Sequence, residues 1–516
     1  MELNSVQFKD YLSDRLTDPY FILFLIIFGT GLALRLNNLG ADPLWKAETY
    51  NTWAARNFFL GNGFSDPVGA ENPYIRAWMT SSLPIAASFA LLGFNEFAAR
   101  LPSVILGLGT SVVLYYLGKD LSGRKMGLIV SGLFLTDLVA VTWHTQARMY
   151  AQSQFLYTLT IFLLLKWYST DNLAIRSKYL FMILPAALLG FHNHISYIGI
   201  GPVFIAFLIL SFLDEIKLKD IKGSLQDEFV QKHILFIISG MLVAVGFVLV
   251  NGIPAWFFGY TPEWYIQSRG SLFYLKWLLV HSKLVFFFGM GLPLVWKRKK
   301  LWLPALAFVI PFLVQSLLIE FKEPRMIFHL YPFFIVISAV PVNQALDYIE
   351  RFFDYGKKNY SLFAVISIII FLFAVQQPLD TYHRISKDPN GVIGKKPDHR
   401  APVNYIQKRR TDKDLIISTA PFVTSWYLGN PEKIDYDLNA LNYQNVSGKI
   451  ISPRLGIQGI QGPQQMRRIM KNNSGWIIAD SNFKKKTPKR IREVIRRRAI
   501  KIKKSSWEEI RIYRFS

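Results

Sequence analysis

Long apolar runs separated by short charged segments dominate this chain. They lie near 20–36, 101–117, 126–143, 152–168, 178–193, 195–213, 233–251, 272–295, 302–319, 327–344 and 361–376. Each has roughly the length that about 30 Å of hydrocarbon asks of a helix. Inside lipid every backbone N–H and C=O must be satisfied within its own segment, so each run predicts a transmembrane helix, about eleven in all. The stretch from Arg76 to Phe94 is also apolar, but it carries Arg76, Thr80, Ser81, Ser82 and Pro84. It reads as a juxtamembrane segment within a long first outer loop, 37–100.

After residue 376 the pattern changes to short alternating elements. Ala401–Arg410 predicts a helix, Leu415–Thr419 and Trp476–Ala479 predict strands, Pro488–Arg498 a basic helix and Glu509–Phe515 a closing strand. The predicted class is therefore an α-helical polytopic membrane protein with a C-terminal extracytoplasmic α/β domain. Residues 1–376 form the transmembrane part and residues 377–516 the outer domain.

Charge sets the orientation. Lys and Arg gather in five short loops, around 119–125, 176–178, 217–222, 297–300 and 351–358, which places those loops in the cytoplasm. The opposite side then receives 37–100, 144–151, a tight turn near 194, 252–271, 320–326 and everything after 376. No cleavable signal peptide is evident at the first run.

Polar residues collect on that outer side. Glu48 follows Trp45 and opens an amphipathic stretch; it reads as a base or metal ligand, or more plainly as an acid favoured by a helix N-terminus. Arg148 and Tyr150 stand where a helix leaves the bilayer, as interfacial anchors or as a phosphate clamp. His192 and His194 flank a tight turn and suit phosphate, a proton or a metal, or plain backbone hydrogen bonds. Arg325, His329 and Tyr331 open a further helix, and the loop 254–265 is dense in aromatics. The span centres are almost free of charge apart from Lys276 and Lys283, unlike a transporter with polar groups at mid-bilayer. The pattern favours an outer-face enzyme acting on a lipid-linked phosphorylated substrate.

Composition narrows the choices. With no cysteine, disulfides, thiolate metal sites and a cysteine nucleophile are excluded. A net charge of +24 fits basic cytoplasmic loops, or a preference for anionic lipid or phosphorylated substrates. No basic stripe is interleaved with aromatics on a nucleic-acid-binding fold, so no nucleic-acid partner is expected.

Taken in order, these motifs resemble the membrane-embedded glycosyltransferases of the GT-C fold. Within them, the chain is similar to the protein-mannosyltransferase-like branch that includes the aminoarabinose transferases of lipid A. The resemblance runs through Leu34-Arg35, Trp45-Lys46-Ala47-Glu48, Glu71-Asn72-Pro73-Tyr74, the stretch from Gly93 to Ser103, Leu117 to Gly123, Gln146-Ala147-Arg148-Met149-Tyr150, and Pro324-Arg325 with Tyr331-Pro332. It implies transfer of one sugar from a polyprenyl- or dolichyl-phosphate donor to an extracytoplasmic acceptor, with inversion at the anomeric carbon. Arg148 and Arg325 would hold the donor phosphate, joined by Tyr331, Tyr150, His192 and His194. No cofactor is required; the two histidines leave a divalent metal open.

One position departs from the family. Ala47 stands where the family has the first acid of an Asp-Glu pair, the residue that takes or positions the acceptor's proton. Three explanations follow from the resemblance: an inactivating substitution in place of an aspartate, a role shifted to Glu48, or a chain without catalysis.

Overall fold

The computed structural model describes residues 18–64, 77–215, 270–319, 322–352, 397–429, 434–438, 444–446, 449–451, 456–480, 482–502 and 510–516. The expected spans near 233–251 and 361–376, the aromatic loop 254–265 and the motif at 71–74 lie outside them. The chain forms two compact units. A helical unit takes residues 1–37, 103–145 and 149–385; an α/β unit takes 38–102, 146–148 and 386–516.

In the helical unit five helices are long and apolar enough to cross a bilayer among the described residues: Pro19–Leu36, Glu96–Thr136, Leu173–Asn193, Lys299–Leu317 and Phe328–Ile349. The long Glu96–Thr136 helix breaks at Ser122 and Gly123, where Gly123 takes φ +86° and ψ 179°. A side chain on Gly118 would collide with Gly127, so the arms fold back glycine on glycine. This hairpin accounts for the two runs near 101–117 and 126–143. Tyr150–Tyr168 is a helix whose Gln152, Gln154, Thr158 and Thr160 are all buried, which places it among the other helices rather than against lipid. The single span expected over 272–295 is instead two helices, Phe273–His281 and Val285–Val295, bent by 116°. Extended backbone at Ser282 ends the first of them, within the polar triplet His281-Ser282-Lys283.

The described basic positions around 119–125, 166 and 298 gather at one end of this unit; the basic runs at 217–222 and 353–358 lie outside the described residues. Arg124 pairs with Asp18 at 2.8 Å, Lys125 with Asp347 at 2.6 Å and Lys166 with Asp120 at 2.6 Å, while Arg298 donates to the Ser122 hydroxyl at 3.0 Å. The turns carrying His144, His194 and Arg325 lie at the other ends of the same helices.

The α/β unit is built on an eight-stranded mixed sheet in the order β3-β4-β5-β2-β1-β6-β8-β7. Its strands are β1 Leu415–Ser418, β2 Tyr436–Asp437, β3 Gln444–Val446, β4 Lys449–Ile451, β5 Gln458–Gly459, β6 Gly475–Ala479, β7 Ile500–Ile502 and β8 Arg511–Phe515. Strand alternation gives the sheet two apolar faces. Ile417, Ile477, Tyr513 and Phe515 pack with Met466, Ile469, Ile491 and Ile495 of the helices Pro463–Asn472 and Lys489–Arg498. Ile416, Trp476, Ile478 and Ile512 belong to the opposite core with Phe422 and Trp426.

Residues of the first loop complete that second core. The helix Lys46–Phe59 sets Trp53 edge-on to Trp426 at 5.6 Å and Tyr50 edge-on to Phe422 at 4.6 Å. The Trp53 indole N–H donates to the Phe422 carbonyl at 3.3 Å. Residues 78–92 follow as a π-helical turn running into the helix Leu83–Leu92, too short to span hydrocarbon. The first loop thus packs in the same unit as the C-terminal sheet, because its apolar faces find their cover there.

His399 sits 2% exposed in this unit, with the Thr424 hydroxyl 3.3 Å from its Nδ1. Burial pushes its pKa down to about 4. In the unfolded chain the imidazole takes up a proton near its ordinary value, about 6.5, and in the folded unit only near 4. This contribution to stability is therefore complete above about pH 6.5 and is lost as pH falls toward 4, at no more than about 1.4 kcal/mol per pH unit. Melts followed by tryptophan fluorescence across that range should show the fall, and His399→Gln should flatten it.

Candidate functional site

The turn from Leu39 to Trp45 enters the first-loop helix through a capping box in which the Trp45 N–H donates to Glu48 Oε2 at 3.2 Å. Glu48 is fully buried. Arg100 meets it bidentately, Nε to Oε1 and Nη2 to Oε2, both at 2.9 Å. The Ala147 N–H adds a bond to Oε1 at 2.9 Å. Each carboxylate oxygen accepts two bonds, which fills its lone-pair positions.

Arg100 is equally saturated. Its remaining donors reach the carbonyls of Leu39 at 2.8 Å, Asp42 at 2.8 Å and Pro43 at 3.1 Å. All five guanidinium N–H groups are thereby used. The pair ties the 39–48 turn, the start of the long helix and the 146–148 turn into one piece.

Asn51, three residues after Glu48 and so on the same helical face, donates to the Ala147 carbonyl at 3.2 Å. Glu48 and Asn51 therefore grip both polar groups of one residue, Ala147. The next residue is Arg148, mostly buried, whose guanidinium lies 5.5 Å from the centre of the Trp45 ring. Glu48 and Arg148 are thus brought into one constellation. Ala47 is partly exposed and lies about 100° around the helix from Glu48, so it does not share Glu48's enclosed face.

The other expected site residues belong to the helical unit. The Tyr331 hydroxyl donates to Asp137 Oδ2 at 2.9 Å, while Asp137 Oδ1 caps the next helix by accepting from the Ala140 N–H at 2.9 Å. Arg325 pairs with Glu323. Tyr150 lies edge-on to His194 with ring centres 5.9 Å apart. His194 Nδ1 accepts from the Ser196 N–H at 3.2 Å, and the Ser196 hydroxyl lies 3.5 Å from His329 Nδ1. His194 thereby joins the segment that carries Arg325 and Tyr331. His192 is half-buried in the last turn of the preceding helix, Leu173–Asn193. Among the described residues no three His, Asp or Glu converge as metal ligands.

A second buried array holds this segment in place. Arg35 is fully buried and donates from Nε to His144 Nδ1 at 3.1 Å and from Nη1 to the Gly31 and Leu135 carbonyls. His144 Nδ1 is then an acceptor, so the proton sits on Nε2 and is given to Gln154 Oε1 at 2.7 Å. Gln154 in turn donates to the Phe328 carbonyl at 2.9 Å, three residues before Tyr331. Sequence reasoning did not assign roles to Asn51, Arg100, Asp137 or Gln154. The i, i+3 spacing of Glu48 and Asn51 was the one available sign.

Residues 73–225 match the model of the dolichyl-phosphate-mannose-protein mannosyltransferase family. An uncharacterized protein of Aquifex aeolicus (strain VF5) is 23% identical over 342 residues, covering 62% of this chain. That match spans 64% of the Aquifex protein's own length. Among solved structures, ArnT from Cupriavidus metallidurans in the apo state aligns over 95% of this chain and 97% of its own, with TM-score 0.64 and 12% identity. The same protein bound to undecaprenyl phosphate gives a TM-score of 0.58 at 12% identity, with the same coverage. The Archaeoglobus fulgidus oligosaccharyltransferase AglB, in complex with an inhibitory peptide and a dolichol-phosphate, covers 90% of this chain and 70% of its own at TM-score 0.54 and 11% identity. The chain is a polytopic membrane protein of the GT-C fold, and the resemblance read from its motifs holds.

The Glu48–Arg100 pair generates a direct prediction. Replacing Arg100 with Ala leaves a buried carboxylate unpaired and should destabilise the α/β unit by about 3–5 kcal/mol. Arg100→Lys should recover little of that, because an ammonium cannot present the same planar fork. Thermal melts of the full chain in detergent read both.

Proposed function

We propose that this protein is a membrane glycosyltransferase. It moves a monosaccharide from a polyprenyl- or dolichyl-phosphate donor to a protein, glycan or lipid acceptor outside the cytoplasm, with inversion. The observation that carries this reading is the likeness in fold over 95% of the chain to ArnT, a structure solved also with undecaprenyl phosphate. The mannosyltransferase family match across 73–225 supports it from sequence.

The residues fit this work. Arg148 is held by the Trp45 ring and by a turn that Glu48 and Asn51 clasp, so it is a pre-oriented cation for a phosphate oxygen. Arg325 and Tyr331 supply a second such set, with Tyr150 and His194 adjoining it. His192 is a further candidate. The orientation with the site outside follows from the clustered basic loops. The reading needs no metal, because guanidinium groups can carry the charge of a phosphate donor.

The proton acceptor is the open position. Glu48 has both oxygens fully engaged, which argues for a bracing role and against transfer of the base function to it. A carboxylate at position 47 remains the natural base, and the methyl group of Ala47 cannot serve as one.

Release of sugar from a radiolabelled polyprenyl-phosphate sugar should therefore be slow or nil in the chain as it stands and gained on Ala47→Asp. Equal rates in both would place the base elsewhere. No release in either, with lipid still bound, would sink the enzymatic reading and favour a lipid-glycan transporter or a scaffold. In the Ala47→Asp background, Arg148→Ala or Arg325→Ala should each slow release by about a hundredfold to a thousandfold, as loss of one transition-state charge donor does.

A further inference from the structure

We propose that one face of the α/β unit, built by the helices Pro463–Asn472 and Lys489–Arg498, docks on the anionic headgroups of the bilayer that the same chain spans. Charge in this unit is segregated. Residues 463–502 hold thirteen Lys and Arg against two acids, whereas 397–462 hold eight against six. Of the two acids Asp480 is buried, accepting from the Thr419 hydroxyl at 2.7 Å, which leaves Glu493 as the one exposed acid.

The fold fixes which way these charges point. Met466, Ile469 and Met470 on one helix and Ile491, Val494 and Ile495 on the other are buried in a common core under the sheet. With the apolar stripes consumed there, Arg467, Arg468 and Lys471 face solvent on the first helix, and Arg490, Arg496 and Arg497 on the second. None of these six forms an ion pair among the described residues, so the array is not spent on internal pairing.

The occupant follows from what the face has and lacks. Among the described residues of 463–502 it offers fixed cations but no exposed aromatic platform, since Trp476 and Phe483 are both buried. A stacked sugar or base finds no exposed ring among those residues. A sheet of anionic headgroups needs only a matching array of charge. The unit is covalently tied to membrane-spanning helices, so such headgroups are present at high effective concentration. Each cation held near an anionic surface is worth about fivefold in the docked-to-free ratio.

The cysteine-free chain allows a clean test. Glu493→Cys in the full-length protein carries a donor fluorophore, and the nanodisc carries an acceptor on its headgroups. Discs are made of phosphatidylcholine alone or with a third of phosphatidylglycerol. Energy transfer should rise in the anionic discs and fall back in high salt. Neutralising Arg490, Arg496 and Arg497 to Gln should cut the docked-to-free ratio by about a hundredfold. If that variant melts early, the salt titration of the Glu493→Cys protein decides alone. Equal transfer in both lipids overturns the proposal. A label that responds to soluble polyphosphate but not to anionic lipid also overturns it, in favour of a soluble polyanionic partner.

Discussion

A carboxylate taken out of water costs several kcal/mol, on the order of what a whole domain has to spare, unless every lone pair finds a donor. Glu48 meets that condition with Arg100 and two backbone N–H groups. Arg100 meets its own by adding three carbonyls of the 39–43 turn. The set is closed on both sides, so no member can be removed without leaving a buried charge unanswered. The geometry of the first loop, the helix that follows it and the turn bearing Arg148 all depend on this closure. It also explains how Glu48 can neighbour the expected base position without being available as a base.

The helical unit solves a similar problem with different residues. Arg35, His144 and Gln154 form a directed chain in which each donor has one acceptor, ending on the Phe328 carbonyl. The direction fixes the imidazole tautomer, and the end point fixes the backbone just ahead of Tyr331. Asp137 then serves twice, capping one helix and receiving the Tyr331 hydroxyl. In each unit the residues proposed to bind phosphate lie beside a hydrogen-bonded polar array that fixes their backbone. That leaves their charge or hydroxyl positioned by a rigid support, which is what a pre-organised electrostatic site requires.

The membrane class and much of the helical order were legible because lipid imposes a blunt rule: backbone polar groups must be paired within the segment. Apolar length therefore marks a helix with little help from context. The same rule is silent on bends. Ser282 ends one helix by taking extended backbone; the polar His281-Ser282-Lys283 stretch in 272–295 marks the place but does not by itself tell a bend from a straight span. The core elements of the C-terminal sheet were also legible, from the short apolar runs of Leu415–Ser418 and Gly475–Ala479 and from the amphipathic pattern of Lys489–Arg498. The membership of the first loop in the α/β unit was not, because it rests on Trp53 and Tyr50 meeting Trp426 and Phe422, more than three hundred and fifty residues away.

By itself the amino-acid sequence determined that the chain is a membrane protein, where its basic loops fall, and which arginines, tyrosines and histidines lie at helix ends. These are properties of local composition and period. Only the tertiary structure decided what those residues are free to do. Glu48 reads along the chain as an exposed acid at a helix start, and it becomes a fully bonded brace once Arg100 and Ala147 arrive from distant segments. His194 and His192 are equivalent in sequence, yet Ser196 links His194 to His329. The availability of a charged or titratable group depends on who fills its hydrogen-bonding positions, and those partners are chosen by packing between segments, which no local pattern encodes.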